Sequence, residues 1–239
     1  MIRAYILNRN QLEHIAYDPS IFSEGRLQKI EKVKQEDDKQ LSAAVELLLI
    51  YALKQLDGEV ALPLQIKEEE SGNLLLESKV KVNGEEQPLY FNLSHSKEYA
   101  ACAVSDEPVG IDIECVKTRD VEHMDKILHE QEVLVLSFVT NPEEKKKYFY
   151  ECWVTKESYL KNLGCGLAIR PGEFMVSEDK METQRADLKK RYVHIYKSNE
   201  IENADWKFDN SYRMAICTKR KQEDAKVALL TAENFSGLF

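Results

Sequence analysis

The chain has 239 residues, 43% of them hydrophobic and 31% charged, with a formal net charge of −9 at pH 7. That length holds one large domain or two small ones, and the balance is ordinary for a soluble globular protein. The acidity disfavours general nucleic-acid binding, and no run approaches the roughly 18 apolar residues that span a bilayer. Met1 to Leu7 reads as a short apolar strand interrupted by Arg3, not as a signal peptide, so a cytoplasmic protein is predicted. The five cysteines form no C-x-x-C pair, which predicts reduced thiols and no zinc site.

Gln11 to Asp18 reads as a short helical segment broken by Pro19, and residues 23–35 as a charged helix carrying Leu27, Ile30 and Val33. The first strong helix is predicted over residues 36–56, with Leu41, Val45, Leu48, Leu49, Ala52 and Leu53 on one stripe and Gly58 as its stop. Ser71-Gly72-Asn73 and Asn83-Gly84 are turn signals. Strands follow over residues 89–94, 99–104 and 109–114. Helical character returns over 121–139, and a second strong helix runs over 143–163 to Gly164. The remainder reads as strands at 174–176, 192–196, 206–208 and 212–218. The hairpin around Tyr90-Phe91 and Tyr99 to Ala103 is similar to that around Trp206 to Phe208 and Tyr212 to Cys217. This predicts an α+β protein of two similar halves related by a pseudo-twofold axis, with a ligand cleft between them. The halves fall at residues 1–108 and 109–239, the C-terminal tail returning to the N-terminal half.

Three segments carry chemistry. In Val109-Gly110-Ile111-Asp112-Ile113-Glu114, side chains two apart share a strand face, so Asp112 and Glu114 point one way and Ile111 and Ile113 the other. Two buried carboxylates need a cation, and hard oxygen ligands suit Mg²⁺; an exposed face of an edge strand fits the same pattern. In Trp153-Val154-Thr155-Lys156-Glu157-Ser158-Tyr159-Leu160-Lys161, Trp153, Glu157 and Lys161 lie four apart on one helix face. Glu157–Lys161 is either a surface ion pair or a third metal carboxylate beside a phosphate-binding lysine. Asn92-Leu93-Ser94-His95-Ser96 ends a strand with short donors suited to phosphate oxygens. Ser94 and His95 are no nucleophile–base pair, because neighbours on a strand face apart.

Together these segments resemble phosphopantetheinyl transferases of the surfactin-synthetase-activating type, which carry N-[IL]-S-H-S, then G-[IV]-D-[IL]-E, then W-x-x-K-E-[SA]-x-x-K. The resemblance implies transfer of the 4′-phosphopantetheine arm of coenzyme A to a serine of an acyl or peptidyl carrier protein. It implies Mg²⁺ held by Asp112, Glu114 and Glu157, with Lys161 and Lys156 on the pyrophosphate and Ser94 and His95 near the 3′-phosphate. Lys117 stands where the family often has another phosphate-binding lysine. It implies that Glu157, directly or through a metal-bound water, takes the serine proton, and a monomer is expected. The chain departs from the family at Ser71-Gly72-Asn73, where a Gly-Lys-Pro element is usual, and before the first long helix, where arginines are usual. Lys29, Lys32 and Lys39 are the expected substitutes, and Gly72 is expected among the coenzyme A-binding residues. The competing reading is a non-catalytic protein of the same fold that binds coenzyme A or a carrier. A P-loop enzyme is excluded, since no such loop appears among the nine glycines. Met124, Ile127, Leu128, Leu134, Leu136 and Phe138 form an apolar stretch that is either core or a docking face for the carrier's helix.

Overall fold

The computed structural model describes residues 1–57, 59–116, 124–165, 168–177, 180–182, 189–202, 211–221 and 226–239. Gly58, Lys117 and the strand expected at residues 206–208 lie outside them. The strands are β1 (Ile2–Asn8), β2 (Ile66–Glu68), β3 (Leu74–Leu76), β4 (Lys81–Val82), β5 (Glu85–Glu86), β6 (Tyr90–Ser96), β7 (Tyr99–Ser105) and β8 (Val109–Cys115). After them come β9 (Met175–Ser177), β10 (Lys180–Glu182), β11 (Tyr192–Ile195), β12 (Ile201–Glu202), β13 (Tyr212–Thr218) and β14 (Lys226–Leu230). The helices are α1 (Glu24–Glu31), α2 (Glu36–Lys54), α3 (Met124–Ile127), α4 (Glu130–Phe138) and α5 (Pro142–Leu163).

The expected α+β class is observed. One sheet has the order β12-β14-β1-β7-β6 and a second the order β11-β13-β8. α2 packs on β7 and β1, and α5 packs on β8 and β13, so the order of layers is helix, sheet, sheet, helix. Strand alternation explains this. In β7, Ala100, Cys102 and Val104 join the cluster built around α2, while Tyr99, Ala101 and Ala103 join the cluster between the sheets. There they meet Ile111 and Ile113 of β8 and Tyr212, Met214 and Ile216 of β13. Alanines at three of these positions let sheet and helix approach β7 closely, and burying each Leu or Ile of α2 contributes roughly 1.5–3 kcal/mol.

β14 was not legible as a strand. It runs parallel to β1, with Ala4 beside Val227 and Leu7 beside Leu230, and so stands between β1 and β12 in the first sheet. Pro142 opens α5 behind the Asn141 side chain, which accepts from the N–H groups of Glu143 and Glu144, and Gly164 closes it in the left-handed conformation. The predicted helix over 121–139 is two pieces, α3 and α4.

Candidate active site

β6 and β8 are edge strands of different sheets, and no backbone ladder joins them. The side chains of Asn92, Ser94 and Ser96, all on one face of β6, replace it. Asn92 Oδ1 accepts from the N–H of Ile111 at 3.1 Å, Ser94 Oγ from Ile113 at 3.3 Å, and Ser96 Oγ from Cys115 at 3.1 Å. The two hydroxyls also donate, Ser94 to Asp112 Oδ1 at 2.9 Å and Ser96 to Glu114 Oε2 at 2.7 Å. This row of polar side chains thus seams the sheets and orients both carboxylates. Ser94 is committed to that seam, which also receives Lys161 Nζ at 3.2 Å.

Asp112 is 4% exposed, so its carboxylate belongs to a buried face and not to the surface of an edge strand. Lys161 Nζ donates to its Oδ1 at 2.7 Å and to the carbonyl of Ile111 at 3.2 Å. Asp112 Oδ2 is buried with no hydrogen-bond partner. Trp153 Nε1 donates to Glu114 Oε1 at 3.4 Å. Burial, then the charge of Asp112, and more weakly that of Glu114, push the Glu157 carboxyl above its usual range against the opposing Lys161. Glu157 and Lys161 open onto a cavity of about 280 Å³ whose other walls include Ser71, Gly72, Asn73 and Leu93. Gly72 is therefore at the rim, in the β2–β3 turn.

Among the described residues no three acidic, imidazole or thiol groups are gathered closely enough to hold a metal as they stand. The donors nevertheless suit a hard cation, because Asp112 offers an orphaned buried oxygen and burial, together with the charge of Asp112, raises Glu157.

His95 faces the other way from Ser94 and lines a second cavity of about 380 Å³ with Arg26, Lys29, Ser42, Glu46 and Glu68. Leu74 and Leu93 border both cavities. Desolvation by the cavity walls holds the His95 imidazole below its usual range; Lys161 and Arg26 act with it, Asp38 and Asp112 against. Lys29 pairs with Glu68. Lys32, which caps α1, is exposed and lines neither cavity. Arg26 was missed in the sequence. Its Nε donates to Glu46 Oε2 at 2.6 Å and its guanidinium also reaches the carbonyl of Ser42. The signal was present in Glu46, a carboxylate within an apolar stripe, which demands a cation.

Lys156 stands apart from this constellation and corrects the expectation for it. It is 0% exposed, and its Nζ is taken up by Glu132 and by the carbonyls of Ile127 and Pro171. Desolvation draws its pKa down, with Glu132 opposing. It lines neither cavity.

A mixed α+β protein is thus defined in which carboxylates and a lysine converge at one cavity, with cationic groups at the next. Residues 108–217 match the family model described as the 4′-phosphopantetheinyl transferase superfamily. The chain is 37% identical over 114 residues to 4′-phosphopantetheinyl transferase gsp of Aneurinibacillus migulanus, covering 48% of this chain and 44% of that one. It is 32% identical over 148 residues to psf-1 of Bacillus pumilus, covering 61% and 59%. It is 28% identical over 145 residues to Sfp of Bacillus subtilis (strain 168), covering 60% and 61%. The matched stretches span between 44% and 61% of these relatives' lengths. The similarity to the 4′-phosphopantetheinyl transferase superfamily thus lies in residues 108–217.

Proposed function

We propose that the protein transfers the 4′-phosphopantetheine arm of coenzyme A to a serine of a carrier protein, giving holo-carrier and 3′,5′-ADP. The observation that carries this reading is the convergence of Asp112, Glu157 and Lys161 beside one cavity, bordered by the same leucines as a second cavity holding Arg26, Lys29 and His95. A ligand with a pyrophosphate and a further phosphate on its nucleoside end matches that spacing of charge. Lys161 balances charge on the pyrophosphate, and Arg26, Lys29 and His95 meet the nucleoside phosphate. Asp112, Glu114 and Glu157 are the residues that would hold Mg²⁺, which supplies charge neutralisation on the transferring phosphoryl group when bound. The carrier serine oxygen attacks the β-phosphorus, the bond from that phosphorus to the bridging oxygen breaks, and Glu157 takes the serine proton. Lys117 remains part of the proposal as a further phosphate ligand.

The reading places the protein in the cytoplasm as a monomer, with the cleft between the halves divided at residue 108. Among the described residues no helix is long and apolar enough to cross a membrane. The carrier docks on α4. There the expected apolar stretch divides. Leu128 is buried and Ile127 and Leu136 pack against that core, while Leu134 is 59% and Phe138 77% exposed, with Val133 and Val135 beside them. An exposed ridge of this kind on a helix packed against α5 suits an apolar helix face of the carrier. Replacing Leu134 and Phe138 together by Asp is expected to raise the carrier KM about tenfold or more, with coenzyme A KM and fold unchanged.

The deciding experiment is intact mass of an apo carrier incubated with the protein, coenzyme A and Mg²⁺. A gain of about 340 Da that is absent with EDTA and with Asp112→Ala supports transfer. No gain with several carriers, while coenzyme A still binds, overturns it in favour of a non-catalytic binder. On the nucleoside side, Arg26→Met combined with Glu46→Gln, so that no buried charge is stranded, is expected to raise coenzyme A KM about tenfold at similar kcat. An unchanged KM in steady-state kinetics removes Arg26 from the ligand.

A further inference from the structure

We infer that Lys156 is a positioning residue whose buried pairing with Glu132 latches α4 to α5 and holds the exposed ridge of α4 in a fixed place relative to Glu157. The inference rests on the reading of α4 as the carrier-docking face.

Lys156 and Glu157 are neighbours in the chain, yet successive residues of a helix point about 100° apart. Glu157 therefore opens onto the cavity while Lys156 enters the body of the protein. An ammonium has three protons to give, and all find acceptors here. They are Glu132 Oε2 at 2.5 Å, the carbonyl of Ile127 at 2.8 Å and that of Pro171 at 2.9 Å. The ring of Phe174 lies 5.5 Å from the same nitrogen. One side chain of α5 thereby ties together the end of α3, the first turn of α4 and the turn at Pro171.

Glu132 is equally specific. It is 2% exposed, and the oxygen that receives Lys156 also accepts from the N–H of His129 at 2.8 Å, closing the capping box that starts α4. The start of α4 and its attachment thus share one carboxylate oxygen. Little else fixes this helix. It has nine residues, too few to be stable alone in water. Val133, Leu134, Val135 and Phe138 face solvent, and of its apolar residues only Leu136 packs on the cluster formed with α5. A charge pair sealed from water is a poor source of stability but a sharp determinant of geometry, which is the property a docking face near a catalytic carboxylate requires.

The test compares wild type with Lys156→Met and with the double variant Lys156→Met/Glu132→Gln. The double variant strands no buried charge and keeps an amide able to cap α4, so it is read where the single variant fails to fold. Amide hydrogen exchange over residues 130–138, without ligands, is expected to quicken about tenfold. In the transfer assay the carrier KM is expected to rise about tenfold, with kcat and coenzyme A KM within about twofold of wild type. A folded variant with unchanged exchange over 130–138 overturns the latch, whatever its activity. A folded variant with quickened exchange but unaltered carrier KM overturns the link to docking, as does an equal rise in coenzyme A KM. Should the wild type modify no carrier, the proposed function fails, and the docking half of the inference with it; the exchange comparison still decides whether Lys156 is the latch.

Discussion

Replacing Glu157 by Gln is expected to lower kcat for transfer by about 10²–10⁴-fold and, in EDTA, to raise the thermal midpoint by about 2–4 °C. The loss follows from removing the group proposed to take the serine proton. The gain in stability follows from electrostatics. Burial, and the charges of Asp112 and Glu114, raise the Glu157 carboxyl, so ionising it costs the metal-free fold free energy. The sign is that of a carboxyl whose pKa is higher folded than unfolded. The stability it contributes is present at low pH and lost as pH rises through the raised value. Gln carries no such loss, so the advantage of the variant widens toward neutral pH. Asp112→Asn is expected to behave oppositely in stability while being equally inactive, because it removes the counter-charge of Lys161. A Glu157→Gln protein that keeps more than about a tenth of wild-type kcat, read by discontinuous mass assay, removes Glu157 from proton transfer. A lowered midpoint shows that burial and repulsion do not outweigh the Lys161 charge at this carboxylate.

The parts of the site that local periodicity controls were legible. Period two put Asp112 and Glu114 on one face of β8, and the four-residue spacing on α5 brought Glu157 and Lys161 to the same cavity. Parts that depend on which surfaces meet were not. Ser94 and Ser96 read as phosphate donors because nothing local reveals that β6 lies along the edge of another sheet, where their oxygens, with that of Asn92, are taken by β8. Lys156 and Lys161 are both lysines of one helix. Glu132, on a different helix, decides which is buried, and Asp112 decides which stays at the cavity. The start of α4 could be read only once His129 was seen to cap it. In the fold the same limit applies. α2 and α5 announce themselves by their stripes, whereas β14 is five residues long and is a strand because β1, from the opposite end of the sequence, offers it an edge.

Gly110→Ala is expected to destabilise the protein by about 3 kcal/mol, lowering the thermal midpoint by about 6–12 °C, and to abolish transfer. A Cβ at this position would lie 1.9 Å from the Ser158 carbonyl oxygen and 2.6 Å from the Asn162 nitrogen. Both are backbone atoms of α5, so no rotamer change relieves the clash and the helix itself must move away from β8. It is not free to do so. The Asn162 amide donates to the carbonyls of Pro108 at 2.6 Å and Cys217 at 3.1 Å, and Arg213 holds Glu151 at 2.9 Å. Lifting α5 breaks these ties or leaves the overlap unrelieved, and either route costs stability. The same movement separates Lys161 and Glu157, on α5, from Asp112, on β8, which explains why one methyl group remote from the reacting atoms should remove activity. Gly110 therefore belongs beside Asp112 for a packing reason, since the close approach of α5 to β8 sets the distance between the cation and its carboxylate. Differential scanning calorimetry with the mass assay decides the point. A Gly110→Ala protein with wild-type midpoint and rate would mean that α5 does not lie against β8 as described, and the geometry of the whole site would fall with it.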